Sequence, residues 1–164
     1  MTYYLGCECD APLIAYSSAS PGFYVSEPQV VDVAAVLAVV HRHLSFPIIR
    51  CLGSRSGCGC GFRCSLPGFV KPRDTEHIQE AVEQQSDHDA LVAYLRSLPK
   101  QTRPMQIYGC WGGDESVTPE HFRTCSITDL ASPDFAFRER ELITLSTETP
   151  NTARGCVKTP TRRG

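Results

Sequence analysis

The fold is decided by the segment from Pro28 to Leu52, which reads PQVVDVAAVLAVVHRHLSFPIIRCL. Its first half is apolar at nearly every position and is too long for one strand, and its alanines favour a helix. We therefore predict a buried helix over residues 29–44. A strand is predicted over residues 46–52, because Pro47 stands at its start, where a missing backbone N–H is tolerated.

Further elements are predicted on both sides of this unit. Runs of β-forming residues that end at turn signals predict three more strands, at residues 3–9, 105–111 and 135–145. Between them, Asp74 or Thr75 begins one helix and Ser86 begins a second, since these residues are common N-caps. A short helix is predicted to start at Thr118-Pro119-Glu120, because proline suits the first helical turn.

The order of these elements predicts one α+β domain over residues 1–146, in a chain of 164 residues. We expect a mixed sheet of about four strands with three to four helices packed over it, and α/β is the alternative. Residues 147–164 offer little to bury and carry four basic residues with no acid after residue 153. They are predicted to form a flexible basic tail.

Charge and cysteine content restrict the class of protein. A net charge of −2 gives no reason to expect nucleic acid as a partner. The start of the chain has no signal-peptide pattern, and the longest apolar run is too short to cross a membrane. We therefore predict a cytoplasmic protein, where nine cysteines remain reduced and serve metal binding, thiol chemistry or packing.

Four cysteines cluster in the glycine-rich segment 53–68 and just before it, with the spacing C-x6-C-x-C-x3-C, and they are Cys51, Cys58, Cys60 and Cys64. Four thiolates on a flexible backbone suit a tetrahedral zinc ion, and Cys7 and Cys9 could add ligands. An iron–sulfur cluster is a weaker prediction, because its binding motifs usually contain C-x2-C and this chain has none. The sequence thus predicts a zinc-binding loop.

The same loop allows a second interpretation, a thiol-based enzyme or redox sensor that uses a cysteine of residues 58–64. Arg50, Arg55 and Arg63 lie beside these cysteines in the chain, and positive charge lowers the pKa of a thiol. The segment does not match a phosphatase loop, a dinucleotide-binding motif or a P-loop. Simple packing of small residues is a third interpretation. The close clustering of four cysteines favours metal.

Three residues are predicted to bind an anion or a protein partner, and they are Arg55, Arg63 and Trp111. Trp111 lies in a Gly-Gly-Asp-Glu turn after a strand, which also allows a metal-free protein-interaction module. Function is therefore predicted only as a structural or binding role without enzyme activity, with zinc as the leading ligand.

Histidines contribute less to these predictions. His41 and His43 lie at the end of the predicted helix, where histidine complements the helix dipole, and a shared metal is not expected there. His121 and Cys125 are four residues apart in the predicted short helix, a spacing that allows two ligands on one face.

Overall fold

The computed structural model describes residues 1–28, 33–65, 77–99, 104–146 and 157–158. The strands are β1 (Thr2–Cys7), β2 (Tyr24–Ser26), β3 (Ile48–Gly53), β4 (Met105–Cys110), β5 (His121–Cys125), β6 (Glu141–Leu145) and β7 (Val157–Lys158). The helices in the described part are α1 (Val33–Val40), α2 (Ile78–Ser97) and α3 (Ile127–Leu130), and a 3-10 turn covers Gly59–Gly61.

All seven strands belong to one mixed sheet in the order β2-β3-β1-β4-β6-β5-β7. β1 lies near the middle and pairs antiparallel with β3 and β4, whereas β5 and β6 run parallel. The α+β prediction is confirmed, but the predicted number of about four strands is too low. The missed strands are β2, β5 and β7.

The sheet is buried on both faces, so two hydrophobic cores form. Successive side chains of a strand point to opposite faces. Tyr3 and Leu5 of β1 therefore pack in the main core with Leu91 and Leu95 of α2. Tyr4, between them, packs in a second core with α1 and the residues that follow it.

One continuous helix, α2, replaces the predicted helix pair. Ser86 lies inside it and does not cap a new helix. The next residue, Asp87, binds Arg55, and His88 bonds the carbonyl oxygen of Leu130. These tertiary contacts stabilise the helix through this point. The other predicted caps, at residues 74 and 75, lie outside the described residues.

Helix α1 is shorter than predicted within the described range. It ends at Val40, after which the amide of Leu44 still donates to the carbonyl oxygen of Val40 at 2.9 Å in a closing turn. Positions 29–32 of the predicted helix lie outside the described residues. β1 also ends early, at Cys7, so Cys7 and Cys9 do not share one strand.

The predicted strand over residues 135–145 is shortened by a turn. Arg140 has a φ of 51°, a left-handed conformation that a strand does not accommodate, and β6 starts only at Glu141. Phe135 and Phe137 still reach the main core together with Ile143 and Leu145. The shared burial of these four side chains is therefore confirmed although the strand is not.

The predicted short helix at residues 118–120 is wrong, since the chain there leads into β5 and α3 forms later, at residues 127–130. Most of the predicted tail lies outside the described residues, but Val157 and Lys158 pair with β5 as β7. None of the helices in the described ranges has both the length and the apolar character needed to cross a membrane.

Candidate functional site

The side chain of Ser54 closes the cysteine loop that follows β3. Ser54 is fully buried, its hydroxyl donates to the carbonyl oxygen of Cys58 at 2.6 Å, and it accepts from the amide of Gly61 at 3.0 Å. The turn between Ser54 and Cys58 passes through Gly57, whose φ of 75° favours glycine. The loop therefore folds back over a single serine.

Arg55 fixes this loop to α2. Its backbone amide and its Nε both donate to Oδ2 of buried Asp87, at 3.1 and 3.0 Å, and Glu83 lies 3.9 Å from its Nη1. Arg55 was expected to bind an anion or a partner. In the structure its charge is directed at two carboxylates of the protein itself.

The first residue of the chain supports the loop from the other side. The amide of Gly59 donates to the carbonyl oxygen of Met1 at 2.9 Å, and the Met1 nitrogen donates to Sγ of Cys60 at 2.8 Å. Cys60 is therefore held against Met1, the residue before β1.

Cys58 and Cys60 lie next to each other at the 3-10 turn, where Cys58 is the N-cap residue. The Cys60 amide lies 3.2 Å from Sγ of Cys58, and the Ser56 hydroxyl lies 3.5 Å from the same sulfur. Partial burial acts to raise the pKa of the Cys58 thiol, but hydrogen bonds from the Cys60 thiol, from Ser56 and from the Cys60 amide lower the pKa below its ordinary value. Burial and the bond to Cys58 raise the pKa of Cys60. Cys58 is therefore the better nucleophile of the pair.

Each thiol of the pair reaches a different cavity. Cys58 lines an open cavity of about 890 Å³ together with Leu13, Ile14 and Tyr16. Cys60 lines a smaller cavity of about 330 Å³ next to Glu83 of α2. Both residues are half-buried.

The other two predicted zinc ligands lie elsewhere. Cys51 packs against the second core, on the face of the sheet that carries Tyr4, whereas Cys64 is buried in the main core on the opposite face. In the described ranges, no group of three or more histidine, cysteine or acidic side chains is arranged to hold a metal ion. Cys51 lines the same cavity as Cys58, and Cys60 packs against the core that contains Cys64, but the four thiols do not converge on one point in the described ranges. Zinc or iron–sulfur binding stays a prediction.

The possible extra ligands are also apart from this pair. Cys7 is fully buried, its thiol donates to the carbonyl oxygen of Cys9 at 3.1 Å, and burial raises its pKa to about 11. His121 and Cys125 lie four residues apart on β5, roughly 13 Å along an extended strand, which is too far for one shared ion. His43 instead bonds the carbonyl oxygen of Glu115 at 3.1 Å.

The remaining predicted binding residues differ in exposure. Trp111 is 39% exposed in the turn after β4, so it stays available for the predicted partner contact. Arg63, by contrast, is only 1% exposed and lies inside the protein. Burial is the largest influence on the pKa of Cys58 and raises it, and hydrogen bonds from Cys60 and Ser56 lower it, whereas none of Arg50, Arg55 and Arg63 is among the main causes.

Three site residues were missed from the sequence, namely Ser54, Ser56 and Asp87. The two serines stand inside the S-R-S-G-C segment, where short hydroxyl side chains often bond the backbone of a tight turn, so their role was detectable. Asp87 had no such signal. It lies 32 residues from Arg55 in the chain, and only the docking of α2 brings it to the loop.

His88 makes the stability of this core dependent on pH. Its burial lowers its pKa to about 4, so the folded state keeps it neutral, whereas the unfolded chain protonates it below about 6.5. The unfolded state therefore binds more protons between these values, and lowering the pH favours unfolding. When the pH falls from 7 to 5, we expect this histidine to lower the free energy of unfolding by about 2 kcal/mol.

The measurement is urea denaturation at pH 7, 6 and 5. In His88→Gln the loss of stability over this range should be smaller than in the unmodified protein by that amount. His121→Gln, which alters an exposed histidine on β5, is the matched control and should keep the full pH dependence. Equal slopes in all three proteins would contradict the assignment.

Comparison with known proteins gives no precedent for the chain, since no family model, curated protein or solved structure matches it. Function must then be argued from the chemistry of the site. Among the predicted site residues, the adjacent thiols of Cys58 and Cys60 form the one arrangement in the described ranges that combines unequal pKa values with access to cavities.

Proposed function

We propose that the protein is a thiol-based redox protein in which Cys58 and Cys60 interconvert between a dithiol and a disulfide. The observation that carries this proposal is the neighbouring pair of thiols at the 3-10 turn, where the Cys60 amide donates to Sγ of Cys58 at 3.2 Å. In this pair the pKa of Cys58 is lowered and that of Cys60 is raised. In such an asymmetric pair the thiol of lower pKa is the nucleophile, and the second thiol attacks the mixed disulfide and resolves it.

The oxidant in this proposal is a small-molecule disulfide, R–S–S–R. The Cys58 thiol first gives its proton to water. Its thiolate then attacks one sulfur, a bond forms between Cys58 and that sulfur, and the other half leaves as RS⁻ and takes up a proton from water. Cys60 then loses its proton to water and attacks Sγ of Cys58, and the second RS⁻ leaves and is protonated. The protein loses two electrons and two protons, and two molecules of RSH are formed.

The local backbone supports closure of this disulfide. The two cysteines are separated by Gly59 alone and lie at a 3-10 turn, where the amide of Cys60 donates to Sγ of Cys58. A disulfide requires Cα atoms roughly 4.4–6.8 Å apart, a range within reach of two residues in a turn. Both the hydroxyl of Ser56 and the amide of Cys60 remain on the Cys58 side to stabilise its thiolate.

The test equilibrates the full chain in glutathione buffers of increasing oxidised fraction, with acid quenching and alkylation of the remaining thiols. Trypsin cleaves after Arg55 and Arg63 and releases residues 56–63, which contain Cys58 and Cys60 and no other cysteine. We expect this peptide to change from the doubly alkylated form to an unalkylated disulfide, whose mass is two hydrogens below that of the free dithiol peptide. If it stays doubly alkylated in fully oxidised glutathione, the proposal is wrong.

The zinc prediction is decided on the same preparation by elemental analysis before oxidation. Cys58 and Cys60 could supply two thiolate ligands, so a metal ion would compete with the disulfide for the same sulfurs. About one zinc per chain that is lost in the Cys58→Ser/Cys60→Ser double variant would assign the loop to metal binding. A metal-free protein that forms the disulfide would support the redox function.

A further inference from the structure

Arg63 is a buried cation without a counterion in the described part of the chain. Its side chain is 1% exposed, and its Nη1 donates to the carbonyl oxygen of Ser132 at 2.9 Å. Its Nε and Nη2 have no hydrogen-bond partner among the described residues. Asp89 and Asp134 favour its charge, but both are exposed and neither forms an ion pair with it within the described ranges.

The two nitrogens of Arg63 without a hydrogen-bond partner among the described residues lie on one edge of its guanidinium. Nε–H and Nη2–H lie on the same edge of the planar guanidinium and point in parallel, and this edge is the one that binds two oxygens of a carboxylate or phosphate group. Because Nη1 is bonded to the carbonyl oxygen of Ser132, rotation of the guanidinium is restricted and the free edge keeps its orientation. The unsatisfied donors are thus a matched pair.

A second buried group with an open position lies at the same turn. His88 is fully buried, its Nε2 bonds the carbonyl oxygen of Leu130 at 2.9 Å, and its Nδ1 has no partner among the described residues. Arg63 bonds the carbonyl oxygen of Ser132, and His88 bonds that of Leu130, two residues earlier. The two side chains therefore lie at the same turn. In this neutral ring Nδ1 accepts a hydrogen bond and can take one from a hydroxyl group of a ligand or from water.

We propose that Arg63 binds a small oxyanion, through a carboxylate or phosphate group, inside the protein at the turn of Leu130 to Ser132. A buried charge without a partner is strongly unfavourable, and a polar group left open in a native core commonly marks an ion that belongs there. Water alone would satisfy hydrogen bonds but would leave the charge uncompensated. This site is separate from the thiol pair and does not depend on the redox proposal.

The test measures the thermal midpoint of the full chain in Tris chloride after prolonged incubation with sodium chloride, sodium acetate or sodium phosphate at equal ionic strength. We expect acetate or phosphate to raise the midpoint by a few degrees relative to chloride. A response to acetate identifies a carboxylate ligand, and a response to phosphate identifies a phosphate group.

Arg63→Lys provides the decisive comparison, because lysine keeps the charge and removes the parallel pair of donors. Phosphate stabilises many proteins without binding at a site, so the readout is the difference between the anion response of the unmodified protein and that of the variant. Arg96→Lys, at an exposed position of α2, is the matched control and should respond like the unmodified protein.

The proposal predicts that the response is lost in Arg63→Lys and kept in Arg96→Lys. Arg63→Met, which removes the buried charge, should fold without added anion and should also show no response. Equal midpoints of the unmodified protein in all three salts, or equal anion responses in the unmodified protein and Arg63→Lys, would overturn the proposal. If neither Arg63 variant folds, isothermal titration calorimetry of the unmodified protein with acetate and with phosphate is the deciding measurement. Absence of saturable binding in both titrations would overturn the proposal.

Discussion

With Cys58 replaced by serine, alkylation of the peptide 56–63 by iodoacetamide at pH 6 should be slower than with Cys60 replaced by serine. Each variant leaves one cysteine in this peptide, so the two rates report Cys60 and Cys58 separately. Cys58 keeps its bonds from Ser56 and from the amide of residue 60, which favour the thiolate. Below both pKa values, each unit of difference changes the thiolate fraction roughly tenfold.

The control for this comparison is Cys9→Ser, which removes a half-buried cysteine outside the loop and should leave both rates unchanged. The lower nucleophilicity of a low-pKa thiolate reduces the contrast but does not reverse it. Faster reaction of Cys60 than of Cys58 would mean that the nucleophile of the pair has been assigned to the wrong residue.

Gly109→Ala should lower the free energy of unfolding by about 3 kcal/mol, although alanine in place of glycine usually stabilises a strand. Gly109 on β4 faces Tyr3 on β1, and a Cβ atom there would lie 2.6 Å from Cε1 of the Tyr3 ring. Tyr3 cannot withdraw, because its ring packs on Phe62 and Phe137 with centroids 5.7 and 4.6 Å away. The backbone of the central strands must then shift.

Urea denaturation of Gly109→Ala gives this free energy directly, and Gly22→Ala is the matched control. A Cβ atom at Gly22 would meet nothing within 4 Å, so that variant should be unchanged or slightly more stable. A loss of stability below 1 kcal/mol in Gly109→Ala would show that the Tyr3 ring is less tightly packed than the structure indicates.

Local sequence patterns were sufficient for the long buried elements. The apolar run before His41 and the strands around Ile49 and Ile107 follow from hydrophobicity and β-propensity, and they were correctly predicted as helix or strand. Patterns failed where a distant contact decides the structure. Ser86 carries a valid capping signal, yet the buried contacts of Asp87 and His88 extend α2 through it.

The site shows the same division. The sequence pointed to the glycine-rich loop and named Cys58 and Cys60, but it grouped them with Cys51 and Cys64, which pack on opposite faces of the sheet. Spacing along the chain could not reveal this separation, because a side chain's face depends on which strand or loop residue lies beside it. Short β2 and β7 were missed for a related reason, since strands of two or three residues exist only through pairing with a neighbour.

The sequence by itself determined the fold class, the presence of β1, β3, β4 and α1, and the loop in which the reactive chemistry is expected. These features depend on apolar periodicity and glycine content, which are local properties of the chain. Only the tertiary structure decided which thiols meet, and which charges are paired. Arg55 pairs with Asp87, whereas Arg63 is enclosed without a counterion among the described residues. Burial and partner choice depend on contacts between segments far apart in the chain, and no local pattern encodes them.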